Sequence, residues 1–232
     1  MKLGKKGLSH IEVILSFVIF LGFLVFLIAI LNPFKITNKD KTYLDVLERG
    51  IKDYTSQELK FQALILNKTR EDCFYIEDYE DRNIIAKDSV LKIVYAYSTS
   101  DLKVYVNGID NFYYLYSSSE FEENRFDGKN CGKIEKNGYD FGLKLDYNVT
   151  SYNKLKDLVK NSSDNYRDTG ISLGLPSFEE YSFNVRDSQG NWMLNFTKGK
   201  PNKVEILARD VPIQIVYSNG TITYAILNIQ VW

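Results

Sequence analysis

From Val13 to Leu31 the chain reads VILSFVIFLGFLVFLIAIL, an apolar run without a single charge. A helix of that length, at about 1.5 Å per residue, reaches close to 30 Å, so the run predicts a transmembrane helix. It is longer than the roughly 7–15-residue core of a secretory signal, and its exit, AILNPF, holds no small-residue cleavage site. Asn32-Pro33 ends or kinks it, because proline lacks an amide hydrogen and disfavours helical geometry in the residue before it. Beyond, DKTYLDVLERGIKDYTSQ spaces Tyr43, Leu47, Ile51 and Tyr54 as one apolar helical stripe, which predicts a helical stalk over residues 33–56.

After Ser56 the pattern turns to strands. Branched and aromatic runs recur between turn residues: ELKFQALILN, CFYIED, LKIVYAYS, LKVYVN, NFYYLYS, YDFGLKLDY, EYSFNVRD, WMLNFT, KVEILAR and a C-terminal pair. They predict a mainly β head over 57–232, either a β-sandwich or a curled antiparallel sheet, with one or two short helices such as NKLKDLVKNSSDNY. In the last hairpin, VPIQIVYSNGTITYAILNIQVW, Asn219-Gly220 suits a two-residue type I′ turn. That turn sets Tyr217 opposite Ile222, Ile215 opposite Tyr224 and Ile213 opposite Ile226, all on one face. From Leu227 the apolar phase shifts to Leu227, Ile229 and Val231, which requires either a bulge or burial of both faces.

Charge narrows the function classes. Lys and Arg total 29 against 30 acidic residues, so nothing attracts the chain to nucleic acid, and no nucleic-acid partner is expected. The only histidine, His10, adjoins the apolar run, which removes the base of Ser-His-Asp or Cys-His catalysis. No phosphate-binding glycine loop and no HExxH motif occurs, so neither enzymatic activity nor a cofactor or metal is expected. The acidic runs Glu77-Asp78-Tyr79-Glu80-Asp81 and Glu120-Phe121-Glu122-Glu123 lack calcium-loop spacing and read as solvated loops. Tyrosines in YAYS, FYYLYS and KLDY read as core and cross-strand packing ahead of an adhesive or carbohydrate-binding face.

Two cysteines occur, Cys73 and Cys131. In an extracytoplasmic head they form a disulfide; otherwise they are two unrelated buried thiols. Five Asn-x-Ser/Thr sequons, at Asn67, Asn148, Asn161, Asn195 and Asn219, exceed the roughly two that chance provides and fit a surface-exposed glycoprotein.

The amino terminus carries the most specific signal. Lys2, Lys5 and Lys6 lead to Gly7, and Glu12 stands at the mouth of the apolar run within KKGLSHIEV. A carboxylate there is costly in hydrocarbon unless it is paired, protonated or reaches the headgroups. The arrangement resembles the class III signal peptide of type IV prepilins, with Lys6-Gly7 close to the archaeal form. The resemblance covers about the first 32 residues. It implies cleavage between Gly7 and Leu8 by a prepilin peptidase, with Glu12 fifth in the mature chain. The freed amino group of Leu8 would then meet the Glu12 carboxylate of a neighbouring subunit at low dielectric, fixing register in a helical filament.

The resemblance further implies other pilin subunits and a membrane assembly platform as partners. The expected organisation is a leader over 1–7, a transmembrane and assembly helix over 8–32, the stalk and an extracytoplasmic head on the cell surface. Two functions follow: a major or minor pilin-like structural subunit, or a singly anchored surface protein whose β head binds a glycan or envelope partner.

Overall fold

A computed structural model describes residues 10–31, 38–70, 73–98, 100–105, 110–122, 131–199 and 206–232. The chain divides into two compact units, Met1–Thr42 and Tyr43–Trp232. The first holds α1 (His10–Leu31), whose described side chains run from Val13 to Leu27. Among the described residues no helix is long and apolar enough to cross a membrane. This overturns the expected transmembrane helix.

The second unit is built on one mixed sheet. Its strands are β1 (Ser56–Arg70), β2 (Cys73–Ile76), β3 (Ile84–Asp88), β4 (Ile93–Ser98), β5 (Leu102–Tyr105), β6 (Asp110–Ser117), β7 (Gly132–Lys133), β8 (Tyr139–Ser151), β9 (Tyr181–Asp187), β10 (Trp192–Phe196), β11 (Leu207–Val216) and β12 (Ile222–Val231). Their order is β10-β9-β12-β11-β8-β1-β6-β3-β4-β5-β2-β7. This corrects both expected architectures. A sandwich would need two sheets, and a purely antiparallel sheet is excluded by the parallel pairs β11·β8 and β2·β7.

Of the other helices, α2 (Asn38–Thr55) falls within the stretch expected as a helical stalk, and α3 (Tyr152–Asp164) and α4 (Tyr166–Ser172) match the one or two short helices expected in the head. Ser151 caps α3, accepting from the Lys154 amide at 3.0 Å, while Glu120 accepts from Ser151 Oγ at 2.6 Å.

Three apolar clusters hold the second unit together. In the largest, Leu44, Leu47 and Ile51 of α2 and Leu155 and Leu158 of α3 cover Tyr181, Phe183 and Val185 of β9 and alternate residues of β11 and β12. The stripe on α2 is thus centred on Leu47 and Ile51; Tyr54 lies at its margin, 38% exposed, and accepts from Asn161 Nδ2 at 2.9 Å. A side chain at Gly50 would collide with the Leu173 carbonyl, so glycine is what lets α2 approach the end of α4. The second cluster joins Leu64 and Leu66 of β1 and Tyr113 and Leu115 of β6 to Phe74, Val94 and Val104 of the far strands. Between them a small third cluster links Leu59, Ile85, Phe121, Val149 and Val216.

The C-terminal hairpin differs from its expected register by one residue. The Tyr217 amide donates to Thr221 O and the Gly220 amide to Tyr217 O, each at 3.0 Å, and Gly220 has φ of 82°. This is a three-residue loop with glycine in the left-handed position. Ile213 consequently pairs with Ala225 and Ile215 with Thr223. The shift also answers the apolar phase change at Leu227: Ala225, Leu227, Ile229 and Val231 share the buried face, while Tyr224 and Ile226 are 71% and 41% exposed. No bulge interrupts the pairing from Val216 to Leu207.

Pro212 sits within β11, which runs unbroken from the end of KVEILAR through VPIQIV. The missing amide hydrogen is tolerated because β11 pairs with β8 only at Ile215 and Val216 and leaves that edge open at Pro212.

Candidate assembly surface

The described part of α1 is apolar on all sides. From Val13 to Phe26 the exposure of its large side chains ranges from 37% at Leu24 to 65% at Val25, with Phe17, Phe20, Phe23 and Phe26 each between 56% and 60%, while Leu27 is half-buried. No polar face answers an apolar one. A helix of this kind is stable in water only when other apolar surface surrounds it. Glu12 belongs to the first turn of the same helix, directly before Val13. The expected processing residues Gly7 and Leu8 lie outside the described residues.

Cys73 and Cys131 are joined by a disulfide with their Cα atoms 4.7 Å apart. It fastens the start of β2 to the residue preceding β7, beside the parallel pair Phe74↔Gly132. All five sequon asparagines, Asn67, Asn148, Asn161, Asn195 and Asn219, are exposed. They are dispersed over β1, β8, α3, β10 and the last hairpin loop. Two come together: Ser162 and Ser163, which follow Asn161, share a depression of about 470 Å³ with Asn195, Phe196 and Thr197.

Among the described residues no three His, Cys, Asp or Glu side chains group closely enough to hold a metal ion. Asp81 departs from the expected solvated loop: it is 8% exposed and accepts from Lys144 at 2.9 Å and Lys60 at 3.2 Å. Burial pushes its carboxyl up, but hydrogen bonds and charges from Lys144 and Lys60 outweigh this and hold it below the ordinary range. Glu77 pairs with Lys133 at 2.7 Å.

Among the tyrosines, Tyr113 is fully buried against Phe74, their ring centroids 5.7 Å apart. Tyr114 and Tyr116 stack around Phe61 at 5.8 and 5.4 Å, and Lys87 lies over the Tyr116 ring. These rings pack across strands, as their alternation predicts.

Sequence reasoning missed the outward face of β10, β9, β12 and β11. Its signal was there in period two: Ser182, Asn184 and Arg186 alternate with the apolar residues of β9, and Asn228 and Gln230 with those of β12. Compared with protein-family models, with curated proteins and with solved structures, the chain matches none.

Proposed function

We propose that this chain is a structural subunit of a type IV pilus-like surface filament, assembled through its amino-terminal apolar helix, with the β head displayed outside the cytoplasm. One observation carries the reading: α1 exposes apolar side chains on every side, with glycine at 7 ahead of it in the sequence and glutamate at 12 in its first turn. Bundling α1 helices from neighbouring subunits buries that surface. At about 25 cal/mol per Å² of apolar area, every large side chain so covered contributes on the order of 1 to 2 kcal/mol.

A prepilin peptidase cleaves between Gly7 and Leu8, and the new amino group pairs with Glu12 of the adjacent subunit. Other pilin subunits and a membrane assembly platform complete the system. The disulfide supports an oxidising location for the head.

The test is the mass of the mature protein together with filament yield. Loss of residues 1–7, and loss of filaments in Glu12→Ala with the head still folded, are expected. An intact leader, or undiminished filaments in Glu12→Ala, overturns the proposal. A second reading, a surface head that binds a glycan, is favoured by the outward face of β10, β9, β12 and β11, where the exposed rings of Trp192 and Tyr224 stand beside buried polar side chains.

A further inference from the structure

The four strands β10-β9-β12-β11 bury one face under α2, α3 and α4 and leave the other uncovered by any described helix. Register assigns the residues of that outer face. Trp192 pairs with Arg186, Arg186 with Ile226, and Ile226 with Pro212, forming one row across the strands. The next row runs Asn195, Asn184, Asn228 and Asp210, and Ser182 pairs with Gln230 in the row beyond.

The face has two kinds of chemistry. Trp192 and Tyr224 are 58% and 71% exposed, large rings that a sheet surface in water does not need for its own packing. From two strand spacings and two residue rises, they stand about 12 Å apart. In the two rows on the other side of the Trp192 row from Tyr224 lies a ladder of side-chain hydrogen bonds. Asn184 Nδ2 donates to Asn228 Oδ1 at 3.3 Å, Asn228 Nδ2 to Asp210 Oδ1 at 2.7 Å, and Gln230 Nε2 to Asn228 Oδ1 at 2.7 Å. The Arg186 guanidinium lies over the Trp192 ring, 4.2 Å from its centroid.

The ladder is incomplete. Asn184, only 4% exposed, leaves Oδ1 without a donor, and the buried Nε of Arg186 has no acceptor. An unmatched acceptor and an unmatched donor thus occur two residues apart on one strand face, and each gains by meeting a ligand's polar group.

The geometry points to this face as a binding site for a neutral oligosaccharide. Sugar hydroxyls both donate and accept, which suits a surface offering amide, carboxylate and guanidinium groups side by side. The apolar faces of sugar rings stack on exposed aromatic rings, which Trp192 and Tyr224 provide in the two rows beside the ladder. Charge agrees: Arg186 and Asp210 cancel, so a polyanion such as nucleic acid or a sulfated glycan gains nothing here. A flat sheet face without a deep cleft suits an extended sugar chain ahead of a compact small molecule. This site draws no residue from α1 and does not involve Glu12, so failure of the filament proposal leaves it unaffected.

The test is isothermal titration of the full chain, held in a sugar-free detergent, with cellotetraose, chitotetraose, maltotetraose and a sulfated heparin tetrasaccharide. Asn195 belongs to the same face, so the protein used is one whose mass shows Asn195 without a sugar. Binding of at least one neutral tetrasaccharide is expected. Trp192→Ala and Tyr224→Ala should each weaken it by about tenfold or more. Leu143→Ala, 68% exposed on β8, should leave it unchanged. All three positions are solvent-facing, and circular dichroism checks that the variants keep the wild-type fold. No binding of any neutral probe at about 10 mM, equal affinity in Trp192→Ala and Tyr224→Ala, or preference for the sulfated probe overturns the assignment.

Discussion

Asp81 shows how much a single residue depends on context. In the sequence it is one acid in a run of four within five positions, which reads as solvated. In the fold its carboxylate is nearly covered and held by two lysines, Lys60 from β1 and Lys144 from β8. Its folded pKa is depressed, so the stability it contributes is present above the unfolded value, near about 4, and is lost as pH falls through the folded value. Replacing it with asparagine should therefore lower the urea midpoint by a margin that is constant from pH 5 to 8 and narrows below about pH 4. A margin equally wide at pH 2.5 and pH 7 would contradict the role assigned to the charge. Both lysines are more than a third exposed, so salt should shrink the margin as well.

Among the elements, the far end of the sheet depends most on one covalent bond. The strands β2 and β7 are only four and two residues long, and their pairing is closed by Cys73–Cys131 across a separation of 58 residues. Cross-linking a loop of that size restricts the unfolded chain by about 4 kcal/mol in the chain-entropy model. The double variant Cys73→Ser, Cys131→Ser should lose stability of that order, with amide exchange rising first in β2, β5 and β7 while β9 and β12 stay protected. Exchange that rises uniformly over the sheet would show that the bond acts globally.

The C-terminal hairpin carries the complementary lesson. Its strands and its turn residues were evident, but Asn219-Gly220 fits both a two-residue and a three-residue loop, and the choice moves every partner by one. Packing of the Ala225, Leu227, Ile229 and Val231 face against the helices selects the second. Gly220 is also packed against Ile85 of β3, a contact that no local rule contains.

For the whole molecule, the division at Thr42 and Tyr43 has a direct consequence. All three buried clusters belong to the second unit, and among the described residues the first contributes none to them. A fragment of residues 43–232 should fold alone and unfold cooperatively, with a β-rich circular dichroism spectrum and monomeric behaviour; the full chain should associate through α1 unless detergent covers it. A fragment without cooperative unfolding would show that α1 supports the head.

What the sequence by itself determined is local: the apolar helix, the amphipathic stripe of α2, most strands, and the Gly7 and Glu12 spacing on which the filament reading depends. Each is written in a short window as a period, a turn residue or a fixed offset. Only the tertiary structure decided that the strands form one mixed sheet, that β11 runs parallel to β8, that Asp81 is held by Lys60 and Lys144, and that Trp192 and Tyr224 share a face with Asn184. The reason is that these features depend on strand order and register between segments far apart in the chain. Alternation states which side chains share a face of one strand; packing of the two faces states which strand lies beside it.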